Sequence, residues 1–155
     1  MLSDRGKGTF VRLPDMAAAI AYRRAHGGLE FLMIRTGAGR WVFPKGRVES
    51  GEPAHRAAAR EAWEEAGVAG RITATPTTEF RLVNRLGRGP RVSTDVTAFL
   101  LEVEEQRPTN ERHRTPTWFP PAAARHALEL GRSQGEAAEL ARTLDVAIRA
   151  IEGPR

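Results

Sequence analysis

The chain of 155 residues contains no cysteine, which removes disulfides, thiolate metal sites and cysteine nucleophiles together. Long apolar runs are missing too. No stretch approaches the eighteen or so residues of a membrane span, and the opening MLSDRGKGTF lacks the apolar centre of a secretory leader. The expectation is a soluble, cytoplasmic protein that does not engage a membrane. Lysine is scarce, with only Lys7 and Lys45 among 24 basic residues. One tyrosine and six phenylalanines are scattered through apparent strands, so there is no basic platform interleaved with rings for stacking single-stranded bases. That argues against nucleic acid as the partner.

Charge of both signs is present, and it is unevenly placed. The formal net charge is +5, yet Gly46 to Val68 holds five acids (Glu49, Glu52, Glu61, Glu64, Glu65) against three bases (Arg47, Arg56, Arg60), leaving about +7 on the remainder. An acidic spot in a basic chain suits a metal-bridged polyanion, with cations on the carboxylates and guanidinium groups around phosphates. Glu61, Glu64 and Glu65 stand at i, i+3 and i+4, which puts three carboxylates on roughly one helix face. Two such groups about 5 Å apart repel by roughly 3 kcal/mol at an effective dielectric of about 20, so the face favours bound cations.

The length fits one domain over residues 1–155, with residues 1–8 a flexible arm. A short strand is expected around Thr9 to Leu13. The runs from Met16 to Arg24 and from Leu29 to Thr36 flank His26, Gly27 and Gly28, and read as a hairpin central in a sheet. Trp41 to Phe43 forms a short strand that Pro44 ends, and Gly46 to Gly51 a loop. Pro53 suits the first position of a helix over Ala54 to Ala66, and Gly67 suits a left-handed stop. On that helix Ala59, Ala62, Trp63 and Ala66 make the core-facing stripe, and Arg60 can pair with Glu64.

Two or three antiparallel strands follow between Gly70 and Glu105, with a basic hairpin tip at Arg85 to Arg91. A polar loop over 106–117 leads to a buried strand at Trp118 and Phe119. Pro120 and Pro121 begin a helix that ends near Leu130. Leu140, Leu144, Ile148 and Ile151 define a last helix from about Gly135 to Glu152. This order reads as an α+β fold, a sandwich with a mixed central sheet and helices on both faces.

Read at fixed spacing, the acidic stretch runs Gly46, five residues, Glu52, seven residues, Arg60-Glu61-Ala62-Trp63-Glu64-Glu65-Ala66-Gly67-Val68. It resembles the box of the Nudix hydrolase family, and every charged and glycine position matches. Ala62 is smaller than the aliphatic residue usual there. The resemblance implies a Nudix-type α/β/α sandwich and an enzyme that cuts phosphoanhydride bonds with Mg²⁺ or Mn²⁺ held by hard oxygen donors.

By the same resemblance Glu61, Glu64 and Glu65 are metal ligands, with Glu52 on a second metal or behind the first set. The backbone carbonyl at Lys45 or Gly46 is a further ligand, and Arg60 orients a glutamate. The general base is left open among the box glutamates and Glu79, Asp95, Glu102 and Glu111, of which Glu111 comes first because its polar loop precedes Trp118.

Trp41 to Gly46, WVFPKG, looks like the lead-in of family members that act on dinucleoside polyphosphates and diphosphoinositol polyphosphates. Lys45 is the expected phosphate contact. Arg112, His113 and Arg114, before Trp118-Phe119, resemble the basic cluster of the diphosphoinositol group, and Arg88 and Arg91 on the hairpin tip can join them around a phosphorylated small molecule. Two other readings stay beside this one: a catalytically silent binding or regulatory module of the same fold, and an RNA 5′-end pyrophosphohydrolase.

Overall fold

A computed structural model describes residues 10–12, 15–85 and 88–153. The expected arm over residues 1–8 lies outside the described residues. The sheet is built on one long strand. Here β1 is Phe10–Arg12, β2 Met16–Ala25, β3 Gly28–Arg35, β4 Trp41–Val42, β5 Lys45–Arg47, β6 Val68–Ile72, β7 Thr78–Arg85, β8 Arg91–Gln106 and β9 Thr117–Phe119. The helices are α1 Ala54–Ala66, α2 Pro121–Glu129 and α3 Gln134–Glu152.

Strand β8 is flanked along one edge by β1 and then β2, both parallel to it, and along the other by β7 and then β6, both antiparallel. Strand β2 passes the sheet on to β3 and, at its start, to β5, through Met16↔Arg47 and Ala18↔Lys45. Mixed pairing of this kind was expected. Strand β5 was not: residues expected as loop from Gly46 pair with β2, because three alternating residues there find a free edge beside Met16 to Ala18.

Alternation along β2 splits the core in two. Ala17, Ala19 and Ala21 face α1 and meet Ala57, Ala58, Ala62 and Ala66, while Ala18 and Ile20 face the other side with Phe31, Met33, Phe43, Phe80 and the leucines of α2 and α3. The sandwich with helices on both faces is therefore present. Among the described residues no helix is long and apolar enough to cross a membrane.

Two sequence expectations for α1 need correcting. Its buried residues are Ala57, Ala58, Ala62, Glu65 and Ala66, so the stripe is rotated from the one expected. Trp63 is 39% exposed, because the helix meets the sheet through Ala57, Ala58, Ala62 and Ala66 and the indole is turned out. Pro53 caps the helix rather than opening it, and Gly67 ends it at φ 71° as expected. A Cβ on Gly67 would also overlap the carbonyl of Arg107, so the glycine serves both the turn and the close approach of that loop.

On the far side, α3 covers the free edge of β7. The Arg81 and Val83 amides point away from β8 and donate to Glu139 Oε2 at 3.3 Å and Glu136 Oε2 at 3.2 Å.

Candidate active site

Two cations organise the carboxylates that the sequence singled out. Arg60 is the first. Its guanidinium binds Glu52 through Nε at 2.9 Å and Nη2 at 3.0 Å, reaches Glu61 Oε2 at 2.9 Å, touches Glu64 Oε1 at 3.4 Å, and donates to the Arg47 carbonyl at 3.0 Å. The i,i+4 pairing with Glu64 exists, but the fork-shaped bond to Glu52 is the tighter one. It also holds the Glu52 carboxyl below its ordinary range. Arg60 thereby ties the loop before α1 to the helix that carries the other glutamates.

Arg114 is the second. Its Nη2 lies 3.2 Å from Glu65 Oε2 and its Nε 3.1 Å from Glu111 Oε1, so one guanidinium joins the box helix to the loop that follows β8. Glu65 is only 6% exposed and also accepts the Lys45 backbone amide at 2.9 Å. Burial raises the Glu65 carboxyl to about 7, against the lowering effect of that amide and Arg114. Burial likewise raises Glu61, with the Arg60 hydrogen bond opposing and the charges of Glu64 and Glu111 adding to the rise. One buried and one half-buried carboxylate that resist ionisation mark a place where positive charge stabilises the site.

Gly46 lies directly on Glu61: a Cβ there would overlap its carboxyl group. The absence of a side chain lets β5 and α1 approach until the Glu61 head is pinned between them. The donor set of Glu52, Glu61, Glu64, Glu65 and Glu111 is oxygen only, which fits a hard divalent cation. Among the described residues no three of these side chains converge as a finished cage. Glu61 and Glu64 are turned onto Arg60, and Glu65 and Glu111 onto Arg114. Binding an ion means exchanging some of those arginine contacts for metal contacts.

Lys45 stands over the same group. Burial lowers its ammonium, the Glu65 charge opposes, and the charges of Arg114 and Arg132 lower it further. Arg132, just before α3, is itself brought down to about 10 by burial and by Arg40. Lys45, Arg114, Arg132 and Arg40 are thus cations whose charges disfavour one another in turn. Arg40 opens onto a cleft of about 550 Å³ that Arg81, Arg91, Glu136 and Glu139 also line.

Of the residues selected from sequence, the structure groups Lys45, Glu52, Arg60, Glu61, Glu64, Glu65, Glu111 and Arg114. Arg112 and His113 share a 3-10 turn with Arg114 and are exposed. Arg88 is exposed at the β7–β8 turn, and Arg91 lies in the cleft, seven residues along β8 from Ala98, which is level with Lys45 through Ala18. That is about 20 Å along the strand.

Two contributors escaped the sequence reading. Arg132 follows Gly131 with no motif to mark it. Thr109 donates its hydroxyl to the Glu64 carbonyl at 2.8 Å and accepts the Glu111 amide at 3.0 Å, so it seats Glu111 against the end of α1. Only the pattern "polar residue in a polar loop" precedes it in sequence, and that pattern selects nothing.

Comparison with known proteins adds three findings. The NUDIX domain model matches residues 13–141. A curated Caenorhabditis elegans protein, putative nudix hydrolase 1, is 41% identical over 70 residues, which take in 40% of this chain and 19% of that protein, so the match spans about a fifth of the relative's length. Among solved structures, a binary complex of C. elegans Ap4A hydrolase superposes with a TM-score of 0.67 at 22% identity, covering 92% of this chain and 100% of the other. The NUDIX domain of Shewanella oneidensis NrtR complexed with ADP ribose gives 0.65 at 15% identity, covering 92% and 90%. At these identities the structural likeness speaks for the fold.

Proposed function

This chain belongs to the Nudix family, and we propose that within it the protein is a Mg²⁺- or Mn²⁺-dependent pyrophosphohydrolase acting on a dinucleoside polyphosphate. The observation that carries this reading is the junction of β5 and α1. There the buried carboxylate of Glu65 and the half-buried one of Glu61 lie beside the Lys45 and Arg114 cations, which supports a single site for metal ligands and phosphate ligands.

In this reading Glu61, Glu64 and Glu65 would hold the ion, and Glu52 acts through Arg60. A divalent ion, when bound, would neutralise charge on the phosphates and make the attacking water more acidic. The chain supplies the rest. Lys45 and Arg114 fix the phosphate oxygens, Arg132 and Arg40 extend the electropositive track, and Glu111, seated by Thr109, takes the proton of the attacking water. Cations that disfavour each other in the free protein are relieved by a run of phosphates, which favours a polyphosphate over a single phosphoanhydride.

The WVFPKG lead-in is common to both substrate groups, and the likeness to an Ap4A hydrolase supports the dinucleoside reading. The cations Lys45, Arg114, Arg132 and Arg40 also favour a second one, an inositol pyrophosphate with ring phosphates on Arg132 and Arg40.

Turnover of diadenosine tetraphosphate and of an inositol pyrophosphate, with Mg²⁺ and with Mn²⁺, separates the two. Glu64→Gln and Glu65→Gln should each lower kcat by at least about 100-fold. A Glu65→Gln enzyme with full turnover would remove the metal role. Tight nucleotide binding without turnover under either metal would point to a silent module.

A further inference from the structure

Trp63 sits one residue before Glu64 and faces solvent, a costly place for an indole with nothing against it. It is not isolated. With Arg107, Thr109 and Asn110 it walls a cleft of about 410 Å³ that Glu64 and Glu111 also line. The Arg107 guanidinium lies 5.0 Å from the centre of the Trp63 ring, held on its other side by Glu105 at 2.8 Å. The floor is firm: the Arg107 amide donates to the Gly67 carbonyl at 2.8 Å, and Thr109 is bonded to the Glu64 carbonyl.

A flat ring and a flat cation, standing next to carboxylates proposed to hold a metal-bound phosphate, select a planar aromatic group attached to that phosphate. Nucleobases stack on both indole and guanidinium. Lys45 of β5, Arg132 before α3 and Arg40 before β4 belong to other elements than the residues that line this cleft. A substrate with two ends is thus offered two exits. We infer that the Trp63–Arg107 shelf takes the second nucleobase of a dinucleoside polyphosphate, the base beyond the phosphate under attack. This rests on the pyrophosphohydrolase reading above. Arg107 is well exposed and pairs only across the surface with Glu105, so it swings outward as the base enters.

The test compares wild type with Trp63→Ala, Trp63→Phe and Arg107→Ala. The ratio of kcat/KM for diadenosine tetraphosphate to kcat/KM for adenosine 5′-tetraphosphate should fall about tenfold or more in Trp63→Ala, mainly through KM, and be largely restored in Trp63→Phe. An unchanged ratio in Trp63→Ala overturns the proposal. If Trp63→Ala does not fold, Arg107→Ala must lower the same ratio, and an unchanged ratio there overturns it.

A second readout does not need turnover. In EDTA, diadenosine tetraphosphate should quench tryptophan fluorescence in wild type and not in Trp63→Phe, where Trp41 and Trp118 remain. Equal quenching in both overturns the shelf. If wild type hydrolyses no polyphosphate, the pyrophosphohydrolase reading fails and the fluorescence comparison still decides this one.

Discussion

The two faces of the sheet are covered by helices of different kinds. Beneath α1 the contact is made on the helix side by alanines, Ala57, Ala58, Ala62 and Ala66, which meet Ala17, Ala19 and Ala21 of β2, with Leu32, Ile34, Phe99 and Leu101 of the sheet in the same cluster. Beneath α2 and α3 it is made by Phe31, Met33, Phe43, Phe80, Leu128, Leu140 and Leu144. Large side chains remove the most apolar surface from water, so the second face contributes more to stability. Small ones let a helix lie close to a sheet and leave it little room to shift. The first face therefore sets where Glu61 and Glu65 stand, and the second holds the molecule together.

Four substitutions or conditions break or sharpen that contrast. Leu144→Ala, at the centre of the large-residue face, should cost roughly 2–5 kcal/mol in a denaturant titration while the surviving folded protein keeps its kcat. Next comes pH. The Glu65 carboxyl titrates near 7 when folded and near 4.5 as a free side chain, so the folded state binds the proton more tightly. Its contribution to stability is full below about 4.5 and is lost as pH rises through 7, a change of about 3 kcal/mol. The rise in Glu61 acts in the same direction. Melting in EDTA at pH 5 and pH 8 should show the protein weaker at pH 8, and Glu65→Gln should flatten most of that difference.

Gly46→Ala should displace the Glu61 side chain from Cγ outward, break its bond to Arg60 and lower kcat about 100-fold, with melting lowered as well because a pinned group must move. The smallest effect is expected from Ala58→Val, where one overpacked contact under α1 should cost about 1–3 kcal/mol. If the alanine face positions the site, kcat in that variant should fall further than the stability loss alone explains. A drop in stability with kcat intact would show that the helix tolerates displacement.

Much of this arrangement could be read from the chain. The helix from Ala54 to Ala66 and its stop at Gly67 follow from local propensity and from a residue that tolerates positive φ, and they stand where expected. The β2–β3 hairpin follows from two apolar runs around His26 and Gly27, which carry the left-handed turn. Carboxylate spacing pointed to Glu61, Glu64 and Glu65 because helical periodicity alone brings them together.

What failed depended on distance in sequence. Strand β5 forms because β2 offers an edge to it, and nothing within Lys45–Arg47 announces that edge. Trp63 reads as core by its chemistry, yet α1 meets the sheet through its alanines and the indole is turned out. Arg132 and Thr109 act through groups on other elements, at separations that no local pattern records.

The carboxylates of Glu136 and Glu139 have a consequence outside catalysis. They occupy the two amides on the open edge of β7 that an incoming strand would use. An exposed edge is a template for sheet extension between molecules. Here the last helix closes it with side chains instead of another strand, so the guard rests on two carboxylates, and replacing both with alanine would open the edge to association along β7.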